Sequence, residues 1–179
     1  MKIAEHIESH IGEISSAINI TDNKYNITIS LFEETPFEGI RTYSTLGLNR
    51  YLVEYYFEFI LACKNNFSKN EITSFWTSFS EYLIEQNKGV KRGDVISFDF
   101  PIISQTKMNS LYFTLPFYFD DDLQQLDLDD RSIIFPLIIP VYYEEAQLIK
   151  EKGWNNFEEF LEENEIDDLW DLSRESYSW

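Results

Sequence analysis

The sequence predicts an α+β protein, a mixed α/β sandwich in which helices pack on the faces of a mixed β-sheet. Segments that alternate apolar and polar residues recur along the chain, with amphipathic helical segments before, between and after them. The 179 residues, 44% hydrophobic and 17% aromatic, are enough to build a core. We expect a single domain over residues 1–179, with an acidic, aromatic tail over about residues 165–179.

The first half of the chain begins with a predicted helix over residues 2–17. Isoleucines three or four positions apart form its apolar stripe, at Ile3, Ile7, Ile11 and Ile14. Residues 25–31 alternate in polarity, which predicts a half-buried strand, and the β-rich run 42–46 ends at Gly47. Residues 52–63 are apolar on both faces, which favours one long buried strand.

The second half of the chain begins with a predicted helix over residues 69–87, with a start signal at Ser68 or Asn70. Three strands and two helices follow, over residues 95–103, 111–119, 131–141, 143–152 and 154–164. The third of these strands is hydrophobic enough to be central, although Pro136 cannot donate to a ladder. Gly153 ends the first of the two helices.

Charge excludes several classes of partner. The net charge is −18, which argues against nucleic acid and anionic membranes, because both are bound through Lys and Arg. Residues 120–179 carry 18 acidic and 4 basic side chains, or −14 of that charge. Solubility and capture of a basic partner explain this excess equally well at this point.

The cysteine content and the N-terminus point to the cytoplasm. Cys63 is the single cysteine, so no disulfide can form within the chain. The first residues lack the apolar region of a signal peptide, and the longest apolar runs are too short to cross a bilayer.

No constellation of residues indicates catalysis. His6 and His10 have a spacing that two metal ligands can use, but the glutamate of the zinc-protease motif is not in place. We therefore interpret them as surface histidines on the polar side of the first helix. Cys63 is expected to be a buried apolar residue. We expect no catalytic residue, no metal and no cofactor, and binding is favoured over catalysis.

Three segments together resemble one known family. They are Gly39–Leu48, with the run Tyr-Ser-Thr-Leu-Gly-Leu; Pro140–Glu145, closing at Gly153; and Ile166–Ser176, with Asp-x-x-Arg-x-Ser. In this order and spacing the chain resembles the suppressor-of-fused family, especially its short bacterial members. The motif residues are Tyr43, Ser44, Thr45, Leu46, Gly47, Leu48, Pro140, Glu145, Gly153 and Arg174.

The resemblance implies a sandwich-like α/β domain that acts by binding another protein. Many bacterial members look like immunity proteins encoded beside polymorphic toxins, often nucleases, and the eukaryotic relatives sequester a transcription factor. We expect the motif residues to be structural, with Gly47 allowing an unusual backbone shape and Gly153 capping a helix.

The leading hypothesis is an immunity protein, or antitoxin, that neutralises a basic cognate toxin. Its candidate contact surface is acidic and comprises Asp120, Asp121, Asp122, Glu158, Glu159, Glu162 and Glu163. The alternative is a peptide-binding adaptor or sequestering regulator that adds a strand at a sheet edge, beside Tyr55 or Tyr56. An enzyme with paired carboxylates is the third hypothesis. The oligomeric state stays open, and so does whether the tail folds back or meets a second subunit.

Overall fold

The computed structural model describes residues 3–20, 24–53 and 55–179. Its helices are α1 (Ile3–Ile11), α2 (Lys69–Gln86), α3 (Tyr143–Lys152) and α4 (Trp154–Glu163). Its strands are β1 (Ser16–Ile20), β2 (Ile27–Glu33), β3 (Ile40–Leu46), β4 (Ile60–Lys64), β5 (Val95–Ser97), β6 (Ser110–Thr114), β7 (Gln125–Asp127), β8 (Ser132–Ile134) and β9 (Leu137–Val141). Short 3-10 helices cover Leu48–Arg50 and Asp121–Gln124.

Seven of the strands form one mixed sheet in the order β1-β2-β3-β4-β9-β6-β5. β4 and β9 are parallel, and the other neighbours are antiparallel. β7 and β8 form a separate antiparallel ribbon. The prediction of an α+β protein with a mixed sheet is therefore confirmed.

A hydrophobic core lies on each face of the sheet because successive strand residues point to opposite sides. One face receives α2, whose Phe79 stacks on Phe113 of β6 and whose Trp76 stacks on Phe59. The other face receives α1, α3, α4 and the β7–β8 ribbon, with Phe157 of α4 packed edge-on against Tyr112. The helices thus enclose the sheet, and α4 lies over β6 and β9.

The predicted helix over residues 2–17 is too long. α1 ends at Ile11, and Gly12 follows with φ +125°, a backbone conformation that favours glycine. Residues 16–20 form the edge strand β1 instead, paired with β2 from Ser16 opposite Leu31. Residue 2 lies outside the described residues.

The predicted strand over residues 52–63 is also wrong in extent. Only Ile60–Lys64 form a strand, and residues 55–59 make just an isolated bridge, Phe57 opposite Ile134, with Phe57 and Phe59 buried. Residue 54 lies outside the described part of the chain. The irregular path exists because Glu58 in this segment binds the backbone of the turn after β3.

The predicted strand over residues 131–141 is two strands. β8 belongs to the ribbon and β9 to the main sheet, where it lies between β4 and β6, so its central position is confirmed. The break falls at Pro136, which has no N–H, while its carbonyl accepts from Ile60 at 3.0 Å. The predicted strands over 95–103 and 111–119 are shorter in the structure, and β7 was not predicted.

The helices of the second half agree with the predictions. The Ser68 side chain accepts a hydrogen bond from the N–H of Glu71 and caps α2. Gly153, with φ +97°, ends α3 and precedes α4. In the described residues, no helix has both the length and the apolar character needed to cross a membrane.

The tail after α4 folds back over the body of the same chain. The carbonyl of Trp170 accepts from the N–H of Lys64 at 2.9 Å, at the end of β4. Leu172 then enters the core on the α2 face, and Trp179 packs on Phe157 and Phe160 of α4. The tail therefore contacts both faces of the sheet.

Candidate partner-binding surface

The turn after β3 is built around a buried carboxylate. Gly47 has φ +101°, and a Cβ there would lie 2.9 Å from the carbonyl oxygen of Asn26. Glu58 is fully buried and accepts hydrogen bonds from the N–H groups of Gly47 at 2.8 Å, Leu48 at 3.2 Å and Asn49 at 3.3 Å. Burial raises the pKa of Glu58, and these donors act against that shift. The contacts are those of a structural turn.

The other residues of this first motif lie inside the fold. Tyr43 and Leu48 are fully buried in the core on the α2 face, and burial raises the pKa of Tyr43 to about 12. The Thr45 hydroxyl accepts from the N–H of Phe59 at 2.8 Å. Ser44 is buried and Leu46 is half-buried. None of these five side chains offers a large surface to a partner.

The second and third motifs meet in one buried ion pair. The Arg174 guanidinium donates to Glu145 from one nitrogen at 2.7 Å and from the other at 2.9 Å. Glu145 also accepts from the N–H of Tyr142 at 2.9 Å and of Tyr177 at 2.6 Å. The Tyr177 ring covers the guanidinium at 3.8 Å from its centroid. This arrangement fastens the tail to α3, while Pro140 is buried in β9 just before it.

Three acidic residues of the candidate surface form an exposed face of α4. Glu159, Glu162 and Glu163 are exposed and make no ion pair with any described residue. We call these three residues the acidic α4 face. Because none of the three is paired with a cation in the described ranges, this face projects negative potential into solvent.

The aspartates of the candidate surface lie on a separate element. Asp120, Asp121 and Asp122 are exposed around the 3-10 helix that packs against α1. Asp120 accepts from the N–H of Asp122 at 2.9 Å and lies 3.8 Å from Nδ1 of His10. In the sequence, these aspartates follow two positions after Tyr118, which lines the pocket described next.

A pocket of about 440 Å³ lies between α4 and the segment that follows β6. Its walls are mostly apolar and include Leu115, Phe117, Tyr118, Ile139, Leu161 and Ile166. Glu162 and Glu165 also line it, so it adjoins the acidic α4 face. We call this cavity the α4 pocket.

Glu158 lines the α4 pocket and is not a free surface carboxylate, contrary to the expectation from sequence. It accepts from the Tyr112 hydroxyl at 2.6 Å, from the Thr114 hydroxyl at 2.5 Å and from the guanidinium of Arg92. Burial acts to raise the pKa of Glu158, but hydrogen bonds from Arg92 and the two hydroxyls outweigh it, so the pKa is lowered. Arg92 also stacks on Trp154, 4.6 Å from the ring. Glu158 therefore holds α4 on the sheet.

The residues considered for catalysis lie in ordinary structural settings. His6 is buried against Phe135, so its interpretation as a surface histidine is wrong, and burial lowers its pKa. Cys63 is buried, and burial raises its pKa to about 12. Over residues 3–20, 24–53 and 55–179, no group of three His, Cys, Asp or Glu side chains is placed to hold a metal ion.

Comparison with known proteins now identifies the family. The family model for suppressor of fused protein (SUFU) matches residues 23–175. The chain belongs to the suppressor-of-fused family. The resemblance in the three motifs is thereby confirmed.

Solved structures of this family share the fold. A putative suppressor-of-fused homologue from Neisseria gonorrhoeae matches with a TM-score of 0.78 at 16% identity, over 98% of this chain and 94% of that one. The Sufu–Fu complex matches with a TM-score of 0.71 at 14% identity, over 97% and 89%. Drosophila Suppressor of Fused matches at 0.59 with 16% identity, over 84% of this chain and 42% of its own length.

One curated relative carries a functional name. Immunity protein YqcF of Bacillus subtilis (strain 168) is 27% identical over 168 residues, which cover 87% of this chain and 84% of the relative. The similarity extends over most of both chains.

Sequence reasoning missed two residues that shape this suppressor-of-fused fold. Glu58 was hidden in an apolar run, although a lone carboxylate in such a run is itself a signal of a buried polar contact. Arg92 has no local partner among the described residues, because the carboxylate that it pairs with, Glu158, lies 66 positions away. Tyr55 and Tyr56 do not form the predicted groove at a sheet edge. Tyr55 packs on Gly89, and Arg131 stacks on Tyr56.

The ion pair between Glu145 and Arg174 should be a major source of stability in this family member. Arg174→Ala leaves Glu145 buried and without its cation, so we expect the free energy of unfolding to fall by about 3–5 kcal/mol. The matched control is Lys64→Ala, which removes the tail's half-exposed ion pair with Asp171 and should cost less than about 1 kcal/mol. Urea unfolding at pH 7 measures both values. Equal losses in the two variants would contradict a structural role for Arg174.

Proposed function

We propose that this protein is an immunity protein that binds a cognate toxin and neutralises it, in the cytoplasm of the cell that makes the toxin. The observation that carries the proposal is the similarity to Immunity protein YqcF over 87% of the chain. The structure of the Sufu–Fu complex supports protein binding as the mode of action, since that fold also binds a protein.

The charge distribution supports a basic toxin as the partner. Residues 120–179 carry −14 of the net charge, and the acidic α4 face presents part of it to solvent. A basic toxin domain, such as that of a nuclease, carries positive charge that binds the negative phosphates of its substrate, and an acidic protein surface can bind the same region. Complementary fields of this kind raise the rate of association and favour the correct partner. We propose that the acidic α4 face, together with Asp120–Asp122 on their separate element, contacts the toxin and occludes its active site.

Co-expression tests the immunity role itself. The chain is produced together with the product of the neighbouring gene, and host survival and co-elution are measured. We expect survival and a stoichiometric complex. Death of the host, with no complex on size-exclusion chromatography, would overturn the proposed function.

Charge reversal on α4 tests the contact surface. Glu162→Lys with Glu163→Lys should slow association with the toxin by about tenfold and weaken its dependence on salt, because the attraction acts before contact. The matched control is Glu81→Lys with Glu85→Lys, the same charge change on α2 at the opposite face of the sheet. Stopped-flow association at several salt concentrations measures both. Equal slowing in the two variants would remove the acidic α4 face from the proposal.

A second candidate function is a peptide-binding adaptor or sequestering regulator. The observation that favours it is the edge strand β5, beside a groove of about 340 Å³ lined by Phe75, Tyr82, Phe98 and Phe100. An extended peptide could add to such an edge and place side chains in the groove. The partner distinguishes the two functions, because this one requires a flexible segment and immunity requires a folded toxin domain.

A further inference from the structure

The α4 pocket has an interior suited to an apolar group. Leu115, Leu161 and Ile166 supply aliphatic walls, and Phe117 and Tyr118 supply aromatic ones. A volume of about 440 Å³ lies within the range in which proteins enclose small ligands or anchoring side chains. An aromatic side chain would bury a large apolar area there, which is the usual source of strong local binding energy.

Glu158, the carboxylate in the pocket wall beside Arg92, does not call for a further cation. Both oxygens of Glu158 already accept hydrogen bonds, one from the two hydroxyls of Tyr112 and Thr114 and the other from Arg92. Arg92 also balances its charge. A lysine or arginine head inserted beside it would lose its hydration and gain no free partner, so the occupant should be uncharged.

The mouth of the pocket has the opposite character. Glu162 and Glu165 line it, both are exposed, and neither makes an ion pair with any residue in the described ranges. Glu159 and Glu163 lie on the same helix. Phe117 is 47% exposed, a large apolar side chain left in solvent. An apolar centre with a charged rim is the usual anatomy of a protein interface.

We propose that the α4 pocket receives an aromatic side chain, flanked by lysine or arginine, from a surface loop of a basic partner protein. The aromatic ring fills the apolar interior, and the flanking cations meet Glu162 and Glu165. Where the partner is a toxin, this inference rests on the proposed function and names the anchor of that complex.

A peptide probe tests the pocket without the toxin. Acetyl-Lys-Lys-Trp-Lys-Lys-amide is titrated into ¹⁵N-labelled protein at low salt, and amide shifts are followed by NMR. We expect saturable shifts at residues 115–118 and 161–166, and a dissociation constant at least tenfold lower than that of the same peptide with alanine in place of tryptophan. Equal binding of the alanine peptide, or shifts confined to residues 95–100, would overturn the inference.

Two variants test the same site. Leu115→Trp fills the pocket, and Glu162→Lys with Glu165→Lys reverses its rim without changing the interior. Each should weaken peptide binding at least tenfold, and weaken toxin binding by about 30-fold or more. Val53→Trp, a bulky change at an exposed position beside the end of α2 and outside both the α4 pocket and the groove beside β5, is the matched control and should leave both affinities within about threefold. Thermal unfolding checks that every variant is folded.

The two proposals fail in distinguishable ways. A toxin complex that is insensitive to both pocket variants would overturn the pocket inference and leave the immunity role standing. Peptide binding at the pocket together with no toxin complex would overturn the immunity role and leave the pocket as a site for another basic protein.

Discussion

The ion pair of Glu145 and Arg174 is the interaction on which the C-terminal third of the molecule depends. The two side chains are 0% and 1% exposed, so their attraction acts where water does not screen it. Two N–H groups and the ring of Tyr177 complete the site. With the tail held at α3, Leu172 reaches the core of one face, while Tyr177 and Trp179 close over α4 on the other. This packing determines which side of α4 faces solvent.

The concentration of glutamates on α4 destabilises that helix. Glu158 and Glu162, and Glu159 and Glu163, are like-charged pairs four residues apart, each destabilising a helix by about 0.2–0.5 kcal/mol. Of these four, Glu158 alone has an ion-pair partner in the described residues, Arg92 in the loop before β5. Solubility needs no such concentration of charge on one helix, whereas attraction of a basic partner does. The α4 pocket beside it adds an apolar surface that electrostatic attraction alone would not require.

The elements that the sequence predicts correctly are those that depend on local patterns. The period of α2, its cap at Ser68, and the glycine between α3 and α4 are all local, and those helices agree with the structure to within about a residue or two. The failures come from long-range contacts. Residues 55–59 are apolar enough for a strand, but Glu58 must satisfy the backbone of the turn at Gly47, so no strand forms there.

For the candidate surface too, composition predicts the charge, whereas the contacts of single residues could not be predicted. The acidic excess of residues 120–179 is visible from composition, and so is the exposure of most of α4. That Glu158 faces inward depends on Arg92, Tyr112 and Thr114, which no sequence pattern connects to it. The α4 pocket was not predicted, because its walls come from β6, β9, α4 and the segment after it.

Hydrogen–deuterium exchange on the purified complex with the proposed toxin locates the contact surface without altering any side chain. Exchange is compared between the free and the bound chain, peptide by peptide. If the toxin is held at the acidic α4 face and the α4 pocket, exchange should slow across residues 115–122 and 154–166 and stay unchanged on α2. Protection confined to residues 95–100, with α4 unaffected, would show that α4 is not the contact surface and would favour capture of a segment at the sheet edge.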